Sequence, residues 1–75
     1  MKLSDLPLKH LAEIVTIEGD SEKLQRLTEL GLRSGKQIQV LQKTPFNGPI
    51  VIQVEQSLIA LRSEEAVCIT LKLHL

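Results

Sequence analysis

Apolar residues follow two rhythms along this chain. In five short runs, aliphatic and β-branched residues crowd between turn-forming residues: Leu11 to Glu18, Lys36 to Thr44, Pro49 to Glu55, Leu58 to Leu61 and Val67 to Leu73. That pattern predicts strands. Ile38 and Val40 alternate inward, and Leu41 breaks the alternation, which marks a bulge. Ile50, Ile52 and Val54 share one face. In the last run, Val67, Ile69, Leu71 and Leu73 are expected to face inward, with Cys68, Thr70, Lys72 and His74 outward.

The second rhythm is helical. Leu24, Leu27 and Leu30 recur every three residues and form one stripe. Asp20 or Ser21 can cap this helix, and Glu22 sits near its positive end. Gly31 is a left-handed stop, after which Leu32 can fold back on Leu27. Arg26 and Arg33 flank the carbonyl end, where positive charge is favourable. Leu3 and Leu6 allow a single helical turn ahead of Pro7.

The connections are tight. Gly19-Asp20-Ser21 breaks the first strand, and Arg33-Ser34-Gly35 is a turn. Asn47-Gly48 is a hairpin signal, with both central residues expected at positive φ. Pro45 and Pro49 lack donors, so they belong at strand ends or on an edge. Gln56-Ser57 reads as a second turn. Arg62 to Ala66 suits one helical turn, with Ser63 as a cap. The predicted class is mainly β with one helix, an α+β arrangement: five short strands in meander order, forming a small closed or nearly closed barrel. Closure limits exposed edges.

Size narrows the function. Seventy-five residues make one domain. A chain this short buries only roughly 60–65% of its unfolded surface, which leaves little room for a deep pocket with positioned catalytic groups. Phe46 is the only aromatic residue. A groove for Pro-rich peptides and a stacking surface for single-stranded nucleic acid both need several. Nine basic and nine acidic residues cancel, so no global field attracts phosphate backbones. Cys68 is the single cysteine, which fits a reducing compartment. No apolar run approaches the roughly 20 residues of a membrane span, and the N-terminus lacks a signal-peptide core. The chain is expected to be cytosolic, without nucleic acid or direct membrane insertion.

Candidate chemistry is sparse. The soft metal ligands are His10, Cys68 and His74. Cys68 and His74 lie roughly 20 Å apart along one strand, too far to chelate one ion within a chain. A metal would need ligands from two chains. The bland alternative is an exposed thiol and a tail histidine. Glu18, Asp20 and Glu22 read as turn and helix-start residues, and Glu64 and Glu65 as a solvated turn. No nucleophile–base–orienter set exists, so no catalytic residue is assigned. Pro45, Phe46, Asn47 and Pro49 are either a rigid hairpin or a pre-ordered partner contact, with Phe46 at the tip. The leucine stripe is mostly core, with a remainder that could line a shallow groove.

Leu27, Leu30 and Gly31 are followed by Gly35 and Val40, then Pro45, Gly48, Pro49 and Ile50. Ala60, Leu61, Arg62, Glu65, Ala66 and Ile69 come next, and Ile14, Ile17, Gly19 and Asp20 precede them. In this order the residues resemble the FeoA family, small cytosolic components of bacterial ferrous-iron uptake, from about Leu3 to Leu71. Lys9 and Gln56-Ser57 stand where the family often has Gly, both at turns. The resemblance implies an SH3-like barrel with an inserted helix. It also implies a partner: a FeoB-like membrane ferrous iron transporter with a cytosolic GTP-binding domain, which such a protein binds and assembles or regulates.

Three readings follow. In the first, the chain is an interaction module without cofactor, contacting the transporter through Pro45, Phe46, Asn47 and Pro49 and through a helix edge of Leu24, Arg26 and Leu30. In the second, a homodimer binds or senses metal through His10, Cys68 or His74. In the third, Arg26, Arg33 or Arg62 supplies an arginine to the partner's nucleotide site.

Overall fold

The computed structural model describes residues Met1–Leu73. A 3₁₀ turn at Leu3–Asp5 precedes β1 (Leu11–Ile17), α1 (Ser21–Glu29), β2 (Gln37–Lys43) and β3 (Ile50–Val54). Next come β4 (Ser57–Leu61), α2 (Ser63–Ala66) and β5 (Ile69–Leu73). The strands form one antiparallel sheet in the order β4-β3-β2-β1-β5. Alternation sets which face is dry. Ile38, Val40, Ile50, Ile52, Val54, Ile59 and Leu61 all turn into a single core with Ile14, Ile69 and Leu71. Leu41 is the extra residue of a bulge between Val40 and Gln42, as its break in alternation predicts. A second irregularity falls between Ile14 and Thr16 in β1.

Among the described residues no ladder joins β4 to β5, so the barrel is nearly closed. The short helix α2 bridges the two strands, with Glu65 and Ala66 buried. The 3₁₀ turn adds Leu3 and Leu6 to the core.

Both ends of α1 are built from its own sequence. Asp20 is the cap: its Oδ1 accepts from the Lys23 N–H at 2.8 Å. At the other end Gly31 takes φ 91°. Its N–H donates to Thr28 O at 2.9 Å, and the Leu32 N–H donates to Leu27 O at 3.0 Å. These are the paired bonds of a Schellman stop, with its leucine contact buried beneath.

Four local expectations shift by a residue or a turn. The first hairpin centres on Phe46-Asn47, not Asn47-Gly48. Phe46 and Asn47 carry φ of 59° and 61°, and Gly48 N–H donates to Pro45 O at 3.3 Å. Gly48 is needed for space instead, because a Cβ there would lie 2.5 Å from Thr44 Cγ2. The second turn is Glu55-Gln56, with Glu55 at φ 56° and Val54 paired to Ser57. Ser63 does not cap α2; Arg62 is the N-cap residue and Ser63 the first helical one. Finally, α2 holds Val67 in its last turn, so strand alternation begins only at Ile69. Val67 is therefore exposed and Cys68 buried, the reverse of the expectation, and Leu73 is also partly exposed.

Gly31→Ala tests the helix stop. Nothing lies within 4 Å of a Cβ built there, so only the left-handed backbone resists the side chain. The expected loss is about 1 kcal/mol, read as a lower urea midpoint at unchanged slope. An unchanged midpoint would show that the stop tolerates a side chain.

Candidate functional site

The loop between β2 and β3 holds the most exposed large apolar side chain among the described residues. Thr44 N–H donates to Pro49 O at 3.1 Å, closing the loop below its tip. Proline fixes φ at Pro45 and Pro49. Between them Phe46 is 99% exposed and adopts a left-handed backbone that a bulky residue seldom takes. The result is an aromatic ring on a stiff stalk, with Asn47 beside it.

The second candidate region lies where α1 faces α2. Arg26 extends from α1, and its Nε donates to Glu65 Oε2. Glu65 Oε1 accepts the Arg62 N–H at 2.9 Å, which satisfies a free donor at the start of α2. Glu65 is only 4% exposed. Burial works to raise its pKa, but it is outweighed by the Arg62 N–H, the Arg26 hydrogen bond and the charges of Arg26 and Arg62. The carboxyl therefore stays below its ordinary value. A groove of about 500 Å³ follows this junction, lined by polar residues that include Asp20, Lys23, Glu29 and Glu64.

The leucines of the predicted helix edge do not line that groove. Leu24 and Leu30 are half-buried, and Leu30 packs against the core. Of the two, Leu30 is used by the barrel and Leu24 stays half-buried, and Arg26 is the member of the trio that reaches the groove. Nor do the two candidate patches form one cluster through direct bonding. The loop leaves the C-terminal end of β2, whereas α1 feeds its N-terminal end. Among the described residues no hydrogen bond or ion pair joins them.

Glu65 is the residue that sequence reasoning misplaced: it is no solvated turn residue. The available signal was its spacing from Arg62, three residues, which is the N-cap to N3 spacing of a capping box. Arg62 offers Glu65 its backbone N–H, and the side-chain ion pair comes from Arg26.

The metal-ligand set is also redistributed. Cys68 is buried, and its Sγ contacts Glu64 O at 3.4 Å. The thiol is thus 9% exposed, not the open ligand that sharing a metal between two chains would call for. His10 is exposed ahead of β1; His74 lies outside the described residues. No group of three or more metal-ligating side chains converges among the described residues. No helix among them is long and apolar enough to cross a membrane.

The FeoA domain model matches residues 1–73, which is nearly the whole chain. The chain belongs to the FeoA domain family. It is 34% identical over 73 residues to the Fe(2+) transport protein A/Fe(2+) transporter FeoB fusion protein of Porphyromonas gingivalis. That match takes in 97% of this chain but spans only 9% of the fusion protein. A crystal structure of the iron uptake regulatory protein FeoA superposes with a TM-score of 0.90 at 30% identity, covering 99% of this chain and 97% of that one. Stenotrophomonas maltophilia FeoA, a prokaryotic SH3 domain protein crystallised with zinc, gives 0.82 at 30% identity, covering 96% and 89%. The nearly closed five-stranded barrel of this FeoA-family chain is accordingly SH3-like.

Glu65→Gln tests the junction between the helices. A carboxyl held low in the folded state stabilises the fold fully above its unfolded pKa of roughly 4.3. That contribution is lost as pH falls through the lower folded value. The variant keeps an acceptor for Arg62 but loses the charge facing Arg26. It is expected to be about 1–2 kcal/mol less stable at pH 7. The gap to wild type should close on acidification below about pH 4.3. A gap independent of pH would show that the charge contributes nothing.

Proposed function

We propose that this chain is a non-catalytic accessory protein of ferrous iron uptake. It docks on the cytosolic side of a FeoB-like, GTP-dependent membrane transporter and regulates or assembles it. The observation that carries this reading is the Porphyromonas gingivalis protein, where a homologous region and a FeoB transporter share one polypeptide. Fusion holds two modules at high effective concentration, which serves a pair that work in contact.

Phe46 is the anchor in this reading. Interfaces draw most of their energy from a few rigid, fully covered side chains, aromatic ones foremost. Phe46 meets that description: its loop is ordered in advance, and the ring is open to solvent along with Pro45, Asn47 and Pro49. The edge of α1 at Leu24, Arg26 and Leu30 is a second, separate contact. Arg26 serves there as the exposed half of an ion pair rather than as an arginine given to the nucleotide, because releasing it would strand the buried Glu65 carboxylate.

Phe46→Ala provides the test. The ring makes no contribution to the core, so the melting temperature is expected to hold. Affinity for the cytosolic domain of the cognate transporter, measured by calorimetry, should fall at least tenfold, about 1.4 kcal/mol. Unchanged affinity would reduce the loop to a structural turn.

A further inference from the structure

Asn47 is the only asparagine in the chain, and Gly48 follows it. Each has a local structural reason. Asparagine is among the few side chains that accept the left-handed φ of 61° found there, and glycine is required at 48 because a Cβ would meet Thr44. Together they make a chemically labile pair. The asparagine amide carbon can close a five-membered ring with the backbone nitrogen of the next residue, and glycine puts no side chain over that nitrogen.

The loop leaves both reacting groups open. Asn47 is exposed, and its side-chain amide makes no hydrogen bond among the described residues. The prolines stiffen the stalk on either side, but the tip between them is held by one bond. It runs from the Gly48 N–H to Pro45 O at 3.3 Å, longer than the usual range of about 2.7–3.2 Å. Phe46 adds no core contact that would hold the tip, and its own left-handed backbone resists the turn. Ring closure is slow beside loop motion, so brief excursions from the turn suffice.

We propose that Asn47 is a site of spontaneous covalent modification, at which attack by the Gly48 nitrogen, loss of ammonia and entry of water convert the neutral loop tip into an anionic one. The Gly48 nitrogen gives up its proton to solvent and attacks Asn47 Cγ. A bond forms between them, the bond from Cγ to the side-chain nitrogen breaks, and that nitrogen leaves as ammonia with a proton from solvent. Water then opens the cyclic imide. Addition at Cγ restores the ordinary backbone and leaves aspartate at position 47. Addition at the main-chain carbonyl leaves isoaspartate, which lengthens the loop backbone by one methylene. No electrons are transferred, and water is the only co-reactant. Nine basic against nine acidic residues become nine against ten. The new carboxylate lies next to Phe46, where covering the ring also means removing a charge from water. This effect on docking rests on the role proposed for Phe46 above.

The test is intact-mass measurement and peptide mapping of the full chain, held at physiological temperature in neutral and in mildly alkaline buffer. A free peptide spanning Thr44–Ile50 serves as a clock for the unrestrained reaction. The expected result is the mass gain of an amide-to-acid exchange, confined to the fragment that carries position 47. It should be faster in the alkaline buffer, since the attacking nitrogen must shed its proton, and should come with isoaspartate detected by enzymatic carboxyl methylation. Asn47→Gly keeps a residue suited to positive φ and should show no gain. A chain that keeps its mass while the free peptide is fully converted overturns the proposal, and so does a gain that persists in Asn47→Gly. Asn47→Asp supplies the ordinary product directly and is expected to bind the transporter's cytosolic domain about tenfold more weakly than wild type. Equal affinity overturns the effect on docking. If Phe46→Ala also binds like wild type, the docking reading itself fails, and the mass measurement still decides the chemistry at Asn47.

Discussion

The buried carboxylate of Glu65 holds together the one side of this barrel that no strand ladder closes. Sheet pairing accounts for the run from β4 to β5 through β3, β2 and β1, but it leaves a seam between the first and the last. The chain crosses that seam in four helical residues, too few to be stable alone. Glu65 fixes them from two sides: it accepts the Arg62 N–H at the start of α2 and the Arg26 guanidinium from α1. One carboxylate thus caps one helix, ties it to the other and lets Ala66 seal the core below. Its charge survives burial only because both partners stay in place, so α1, α2 and the seam stand or fall together.

That arrangement divides the molecule into a core-facing part and parts left for recognition. The leucines of α1 are spent mainly on the barrel, and its outer face is polar. The strongest apolar features outside are Phe46 at the loop tip and Leu58 on β4. Both sit on rigid backbone, the first between two prolines, the second in a regular hairpin. A protein without a deep pocket and without a converging set of reactive side chains among its described residues can still act through such surfaces. Membership of the FeoA family and the fused relative in Porphyromonas gingivalis indicate where such a surface would be used.

Much of this was legible in the sequence, and the misses have two causes, contacts distant in sequence and local boundaries set one or two residues off. The strands, the capped helix with its Gly31 stop, and the bulge at Leu41 each have a local residue signature. Where the outcome depended on contacts distant in sequence, local reading failed. Glu65 looked solvated because Arg26 lies 39 residues away. Cys68 looked exposed because strand alternation was run back through a helical turn whose last residue is Val67. The hairpin slipped by one because Thr44, in the same loop, crowds Gly48, a steric reason for glycine that competes with the turn reason. Phe46 stood out from composition alone, being the single aromatic residue, and its exposure needed the fold.

The most direct measurement is a chemical-shift titration of isotope-labelled protein with the cytosolic domain of its cognate transporter, with and without a GTP analogue. Docking through the loop and the α1 edge is expected to move the amides of Phe46, Asn47 and Gly48 together with those around Leu24, Arg26 and Leu30, with the core strands quiet. An absence of shifts in both nucleotide states would contradict docking on that domain.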